Sequence, residues 1–169
     1  MTGLVIWFTG LPACGKTTMA ERVCERLRAA GCAALVLDSD PLRPLLAPER
    51  GYQPGERAAF YRRLAELAAH LAGQEQIVLV SATAPMRAHR DVARALSARY
   101  AEVFVDVAPD ECERRDPKGL YALARAGGAP HLPGAGSPYE RPAHPDVVSS
   151  GGRDQAAIDA VVRLARSPG

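Results

Sequence analysis

The stretch that decides the fold is "LVIWFTGLPACGKTT", Leu4–Thr18. Its first six residues are suited to both faces of a buried strand, as in a parallel sheet. The residues that follow match G-x-x-x-x-G-K-[ST] through Gly10, Gly15, Lys16 and Thr17. A strand, a glycine-rich loop and a helix in this order are the context in which such a loop wraps phosphate groups. The sequence therefore predicts a nucleotide phosphate-binding loop over residues 10–18.

The chemistry expected of this loop is electrostatic. Its glycines let backbone N–H groups turn inward around the phosphates, and the helix N-terminus adds a partial positive charge. Lys16 is expected to reach the β- and γ-phosphates of ATP, and the Thr17 hydroxyl to bind Mg²⁺. Cys14 and Thr18 lie within the same loop and are expected to contact the nucleotide as part of it.

Strands and helices alternate along the rest of the chain. Further strands are predicted at 32–38, 76–82 and 102–107, and helices at 15–30, 54–72, 86–99 and 153–166, with 110–126 partly helical. This alternation predicts an α/β fold with a mostly parallel sheet covered by helices on both faces. The 169 residues suit a single domain. Residues 127–145 are rich in Gly, Pro and Ala and are predicted to be a functional lid or a disordered segment.

Composition excludes several classes of protein. The formal net charge of +2 is too small to argue for a nucleic-acid or membrane partner. No apolar run approaches membrane-spanning length and the first ten residues lack a charged start, so the expected location is the cytoplasm. The four cysteines form no CxxC pair, which favours free thiols over a metal site or a disulfide framework.

Lysine usage singles out two positions. Of the 21 basic residues, only Lys16 and Lys118 are lysines. Lysine carries a compact charge on a flexible stem, whereas arginine presents a planar fork. We therefore expect a function for Lys118 as well as for Lys16.

Polar residues follow the second and third predicted strands. Asp38 and Asp40 end the second, and "SATAP", which contains Thr83, ends the third. Ligands of parallel α/β sheets bind beyond these carboxyl ends. Asp40 is expected to accept or orient the proton of an acceptor hydroxyl, with Mg²⁺-bound water as a further means, and Asp38 to cap a helix or support the site. Downstream, Arg43 and Arg57 are candidates to clamp an anionic substrate.

Longer motifs resemble a known family. "DECERRDPKGLYALARAG", "LDSDPLR", "APMRAHRDVAR" and "SPYERPAHPDVV", together with the phosphate loop, resemble adenylylsulfate (APS) kinases from Gly3 to about Val162. The resemblance implies a P-loop kinase-like three-layer sandwich. It implies transfer of the γ-phosphate of MgATP to the ribose 3′-hydroxyl of APS, giving PAPS. It also implies a homodimer.

The resemblance assigns roles to individual residues. Asp40 matches the second acid of the family's D-G-D motif, and Arg43 and Arg57 match arginines that bind the acceptor. Lys118 matches the lysine of a mobile lid, here about residues 114–145. Tyr52 matches an aromatic residue that stacks on the APS adenine. Arg114 and Arg115 lie where the lid helix approaches the ATP base.

Departures from the family pattern concentrate on the acceptor side. Phe60 stands where an acceptor-contacting asparagine is usual, and Leu132 replaces the second aromatic residue that sandwiches adenine. Pro41 replaces an asparagine. Ala84 replaces a serine that carries a phosphoryl group in some members. Loss of one stacking partner costs about 1–3 kcal/mol per base.

Three hypotheses follow for the function. The first is APS kinase. The second is a relative that phosphorylates a different small anionic or nucleotide-linked acceptor. The third is a nucleotide-binding regulator without metabolic turnover.

Overall fold

The computed structural model of the chain describes residues 3–47 and 51–168. Its strands and helices alternate through most of the sequence. In chain order they are β1 (Leu4–Thr9), α1 (Lys16–Ala29), β2 (Ala34–Asp38), α2 (Ser39–Leu46), α3 (Pro54–Ala72), β3 (Ile77–Ser81), α4 (Arg87–Leu96), β4 (Tyr100–Val105), α5 (Pro109–Arg115), α6 (Leu120–Arg125), β5 (Val147–Ser149) and α7 (Gln155–Arg166).

One parallel sheet forms the middle layer. Its strand order is β2-β3-β1-β4-β5, and every pairing between neighbours is parallel. The central strand is β1, which bonds β3 on one side and β4 on the other. The phosphate loop that follows β1 therefore lies in the middle of the edge where all the strands end. The predicted parallel α/β architecture is confirmed.

The two faces of the sheet bury separate cores. Along β1, Ile6 and Phe8 pack into a cluster that includes apolar residues of α1 and α7. Val5 and Trp7 alternate with them and pack into a second cluster with residues of α3 and α4. Successive side chains of a strand point to opposite faces. An apolar strand of this kind is stable only between two layers of helices, which accounts for the three-layer sandwich.

Two elements were not predicted. Helix α2 contains Pro41 in its first turn and Pro44 in its interior, and proline disfavours a helical interpretation. The helix forms because the Asp38 side chain accepts a hydrogen bond (3.0 Å) from the backbone N–H of Asp40 and so caps the N-terminus. Strand β5 is only three residues long and exists through its pairing with β4.

Most predicted boundaries shift by a few residues, whereas β1 and α3 coincide with the predictions of 4–9 and 54–72. The largest strand shift is β4, expected at 102–107 and found at Tyr100–Val105, because its pairing with β1 begins opposite Val5. Residues 110–126 were expected to be partly helical, and α5 and α6 confirm this.

Two further observations concern the cysteines and the apolar character of the helices. The chain's four cysteines are free and buried. Within residues 3–47 and 51–168, no helix combines the length and apolar character needed to cross a bilayer.

Candidate active site

The phosphate loop has backbone geometry that requires its glycines. Gly10 has φ 153° and Gly15, the N-cap of α1, has φ 100°. A Cβ on Gly10 would lie 2.6 Å from the carbonyl oxygen of Val105, and one on Gly15 would lie 2.7 Å from the backbone nitrogen of Gly152. Both contacts are closer than atoms can approach, so side chains are excluded at both positions.

Lys16 ties the loop together. Its Nζ donates hydrogen bonds to the carbonyl oxygens of Gly10 (3.0 Å) and Leu11 (2.9 Å). The ammonium group therefore lies across the opening of its own loop, where a phosphate-binding cation is needed.

Cys14 was expected to contact the nucleotide, but its side chain lies inside the protein, behind the loop. Its thiol is fully buried, 3.8 Å from the Nζ of Lys16, and its backbone N–H donates to the carbonyl oxygen of Leu11. The side chain supports the loop from within.

A cluster of hard oxygen ligands surrounds Thr17. Its hydroxyl donates to Asp38 Oδ2 (3.1 Å) and lies 2.9 Å from the hydroxyl oxygen of Ser81. Carboxylate and hydroxyl oxygens of this kind suit Mg²⁺. Thr17 and Asp40 were the two residues predicted to serve Mg²⁺, Asp40 through bound water, but the carboxylate that contacts Thr17 is that of Asp38. Ser81 is the first residue of the predicted "SATAP" segment, but its contact with Thr17 was not predicted, although its place as the last residue of β3 is a usable signal.

Asp40 instead contacts a residue of the predicted lid. Its carboxylate forms an ion pair with the ammonium group of Lys118, in the loop between α5 and α6. Both side chains are more than half exposed, so the pair contributes little to stability. It brings a residue of the predicted lid to the candidate catalytic base.

One cavity of about 1040 Å³ joins these groups. Both lysines of the chain lie in its wall. The predicted residues that line it are Gly15, Lys16, Thr17, Thr18, Asp40, Tyr52, Thr83, Arg115 and Lys118. Its wall also contains residues that the sequence interpretation missed, chiefly Tyr121, Gly151, Gly152 and Arg153. A pocket for one small molecule usually measures about 300–1,000 Å³. This cavity is large enough for a donor and an acceptor side by side.

Other predicted residues lie behind the wall or outside it. Arg114 is exposed and pairs with Glu111, whereas its neighbour Arg115 pairs with the same carboxylate and lines the cavity. The remaining predicted residues that do not line the cavity are Gly10, Cys14, Arg43, Arg57, Phe60 and Leu132.

The acceptor-side arginines lie close to aromatic rings. The Arg43 guanidinium is 4.8 Å from the ring centre of Tyr52 and 4.0 Å from that of Phe60. Arg57 donates to the carbonyl oxygen of His131 (2.7 Å). Burial lowers the pKa of Arg57, and the like charge of Arg43 lowers it further. The guanidinium groups of both arginines lie near the Tyr52 ring, at 4.8 Å and 5.9 Å, and such a pair favours an anion between or beside them.

Leu132 does not face Tyr52 across the cavity. It is 8% exposed and belongs to the core cluster on the α1 and α7 side of the sheet. Its carbonyl oxygen accepts hydrogen bonds from the backbone N–H groups of Gly136 (2.8 Å) and Ser137 (3.1 Å) in a tight turn. A leucine gains more from burial than from the cavity wall.

A buried arginine connects the loop after β3 to the end of the predicted lid. Arg90 is 2% exposed. It donates to the carbonyl oxygens of Ala84 (2.5 Å) and Glu140 (2.6 Å) and pairs with Glu102 at 2.6 Å. Arg90 was not predicted, since its partners lie far from it in sequence.

Tyr139 makes a parallel connection. Its hydroxyl lies 2.9 Å from the Thr9 hydroxyl, which donates to the carbonyl oxygen of Thr83 (2.6 Å). Thr83 lies in the loop after β3, so the phosphate-loop strand, the loop after β3 and the predicted lid share one hydrogen-bond chain.

His89 lies beneath the acceptor side. Its ring centre is 4.8 Å from that of Tyr61, on α3. Burial, followed by the charges of Arg57 and Arg90, lowers the pKa of His89 to about 4. The imidazole is therefore neutral at pH 7, and this part of the site depends on a histidine that cannot be charged without cost.

Known proteins share both sequence and structure with the chain. Residues 2–150 match the adenylylsulphate kinase family. An adenylyl-sulfate kinase of Synechococcus sp. (strain JA-3-3Ab) is 41% identical over 169 residues, covering 99% of this chain and 96% of the relative. The bifunctional enzyme CysN/CysC of Mycobacterium tuberculosis is 45% identical over 149 residues, which are 86% of this chain. The alignment spans only 24% of that enzyme's length.

A solved structure matches nearly the whole fold. The Mycobacterium tuberculosis APS kinase CysC, in complex with AMPPNP and APS, superposes with a TM-score of 0.92 at 41% identity. The match covers 98% of this chain and 99% of that one. The predicted P-loop kinase fold is confirmed, and the chain belongs to the adenylylsulphate kinase family.

Proposed function

We propose that this chain transfers the γ-phosphate of ATP to the ribose 3′-hydroxyl of APS, producing ADP and PAPS. The observation that carries the proposal is the single cavity of about 1040 Å³, with the phosphate loop in one part of its wall and Asp40, Tyr52 and Thr83 in another. The related CysC structure contains AMPPNP and APS together, which supports the same pair of ligands here.

The donor is held mainly by the phosphate loop. Backbone N–H groups and the N-terminus of α1 face the phosphates, and Lys16 exchanges its bonds with Gly10 and Leu11 for phosphate oxygens. Arg115, which lines the cavity, is available to the base of the nucleotide.

Mg²⁺ fits the oxygen ligands around Thr17. The Thr17 hydroxyl and the Asp38 carboxylate would hold it, with Ser81 as a further oxygen, and Asp40 remains a candidate through water. When bound, the ion supplies neutralisation of the charge on the β- and γ-phosphates.

The acceptor is held by side chains. Arg43 and Arg57 lie just behind the cavity wall, partly exposed and 4.8 Å and 5.9 Å from the ring of Tyr52, and from there they bind the phosphosulfate group. Tyr52, which lines the cavity and is 49% exposed, offers a face to adenine. Thr83 lies close enough to the cavity to contact the ribose or phosphate.

Asp40 and Lys118 carry out the reaction with Lys16. Asp40 takes the proton of the 3′-hydroxyl, the oxygen forms a bond to the γ-phosphorus, and the bond between that phosphorus and the β,γ-bridging oxygen breaks. Lys118, paired with Asp40 before substrate enters, is positioned to stabilise negative charge on the transferred group once the carboxylate engages the hydroxyl.

A different anionic acceptor is the second candidate. The burial of Leu132 favours it, since adenine would stack on Tyr52 without a second aromatic face. The replacement of the usual asparagine with the buried Phe60 favours it as well. A nucleotide-linked metabolite with a smaller or non-purine group would suit such a pocket.

A coupled assay of ADP formation separates the two candidates. APS, AMP, other nucleoside monophosphates and simple sugars are each supplied with MgATP, with Lys16→Ala as the control for contaminating kinase. We expect APS to raise ADP formation above the ATPase background. An APS rate equal to that background, together with turnover of another acceptor, would favour the alternative.

Two further expectations remain proposals. The resemblance to the family suggests a homodimer, which sedimentation equilibrium at micromolar concentration would test. A cytoplasmic location is proposed for an enzyme that uses ATP, and fractionation of cells that express the chain would test it.

A further inference from the structure

Phe60 is the residue of the acceptor side that departs most from the family pattern, and its place is unexpected. The ring is 0% exposed, whereas Arg43 and Arg57 are partly exposed. The Phe60 ring therefore has no free surface with which to contact the acceptor, as the asparagine at this position was expected to do. What it contacts instead is Arg43, whose guanidinium carbon lies 4.0 Å from the ring centre.

This distance is that of a close cation–π contact, which is strongest when the pair is shielded from water. Phe60 is well suited to supply a fixed surface. It lies on the 19-residue helix α3 and packs beside Tyr61, with the ring centres 5.2 Å apart. Tyr52, the other ring near Arg43, is about half exposed and so is held less firmly.

The charge of Arg43 is not committed to a protein partner at one of its ends. Within the described ranges, no acceptor forms a hydrogen bond with its buried Nη1. An unsatisfied buried donor on a charged group is costly. Arg57 adds a second positive charge close by, since the charge of Arg43 lowers the pKa of Arg57. Both side chains are partly exposed and lie beside the same Tyr52 ring, at 4.8 Å and 5.9 Å, so an anion that enters the cavity can approach the pair.

We propose that Phe60 is a positioning residue for the acceptor, which holds the Arg43 guanidinium through its ring face so that Arg43 can bind the acceptor's anionic group. In this chain the ring replaces a direct polar contact with an indirect one. The inference rests on the proposed function for the identity of the acceptor, and its chemical content is that acceptor affinity depends on the electrons of a ring that the acceptor does not touch.

Fluorination of the ring tests this dependence. Site-specific incorporation of 4-fluoro-, 3,5-difluoro- and 3,4,5-trifluorophenylalanine at position 60 withdraws charge from the ring face with little change in shape. The same series at Phe8, which is equally buried but belongs to the core cluster on the opposite face, is the matched control. Phe60→Leu is the simple genetic counterpart, which keeps an apolar side chain and removes the ring.

The measurements are the dissociation constants of APS and of AMPPNP by titration calorimetry, with turnover in the parent protein. We expect APS affinity to fall stepwise with each added fluorine at position 60, to about tenfold in the trifluoro variant, and AMPPNP affinity to stay constant. The Phe8 series should leave both constants unchanged.

An APS affinity that stays constant across the Phe60 series, or that falls together with AMPPNP affinity, would overturn the inference. If the parent protein binds APS without phosphorylating it, the proposed function fails while the series still decides the role of Phe60. If the parent does not bind APS, both fail.

Discussion

The donor and acceptor ends of the cavity hold their functional groups in different ways. At the donor end, the backbone of the phosphate loop fixes the geometry of the site. Gly10 and Gly15 have no room for a Cβ, and Lys16 donates hydrogen bonds to carbonyl oxygens of its own loop. At the acceptor end, Arg43 and Arg57 depend on side chains and on a carbonyl of a distant loop. We therefore expect substitutions of side chains outside the phosphate loop to weaken acceptor binding more than donor binding.

The largest effect is expected where the acceptor end meets the core. Arg90→Met leaves the Glu102 carboxylate buried without its main partner, so the free energy of unfolding should fall by about 3–5 kcal/mol. The control is Arg94→Met, because Arg94 contacts the same carboxylate at 3.3 Å but is 47% exposed, and its loss should cost at most about 1 kcal/mol. Urea unfolding measures both. Equal losses would mean that Arg90 is not the support of the acceptor loop.

Removal of the Lys16 charge tests the donor end. Lys16→Ala should lower kcat by about 10³-fold, because the loop loses the cation that meets the phosphates, while the APS dissociation constant stays within about twofold. Steady-state kinetics and calorimetry check the two parts, and circular dichroism checks the fold. Unchanged turnover would contradict the assignment of the phosphate loop.

Substitution of Asp40 tests whether this residue belongs to the acceptor end or to the donor end of the cavity. Asp40→Ala should lower kcat by about 10²-fold with little change in AMPPNP affinity, since the carboxylate faces Lys118 and not Thr17. Asp38→Ala is the comparison. It should instead raise the Mg²⁺ concentration needed for half-maximal activity, because Asp38 contacts Thr17. If Asp40→Ala reduced only ATP binding, Asp40 would belong to the donor end as a metal ligand.

A smaller effect is expected on the pH dependence of the unfolding free energy, through His89 beneath the acceptor end. His89 has a pKa of about 4 in the folded chain and about 6.5 when unfolded, so the unfolded state binds more protons as the pH falls. The contribution of the neutral imidazole to the unfolding free energy is fully present above pH 6.5 and is lost as the pH falls towards 4. Between pH 7 and pH 5 the unfolding free energy should fall by about 2 kcal/mol.

Chemical denaturation at several pH values measures this slope. His89→Gln should flatten it, and His70→Gln, on the exposed side of α3, should not. An identical pH dependence in the parent and in His89→Gln would show that another group is responsible.

The donor end could be predicted because its signal is local. Gly10, Gly15, Lys16 and Thr17 lie within eight residues, and the strand and helix on either side set their geometry. The contact between Thr17 and Asp38 could not be predicted in the same way. It depends on the register that pairs Asp38 with Ser81 across β2 and β3, which no spacing in the sequence reveals.

The acceptor end depends on contacts between distant segments. Arg90 bonds to Glu140, fifty residues away, and Arg57 bonds to His131, seventy-four residues away. Phe60 was expected to touch the acceptor because the family has a polar residue there, but a phenylalanine on α3 gains more by burial in the core. Pro41 and Pro44 concealed α2, the helix that carries Arg43.

The separation of the two ends is tested most directly by Arg43→Ala. Calorimetric titrations with APS and with AMPPNP, on the parent and on the variant, give four dissociation constants. The account predicts that APS binding weakens by about tenfold or more while AMPPNP binding is unchanged. Equal weakening of both ligands, or unchanged APS binding, would contradict it.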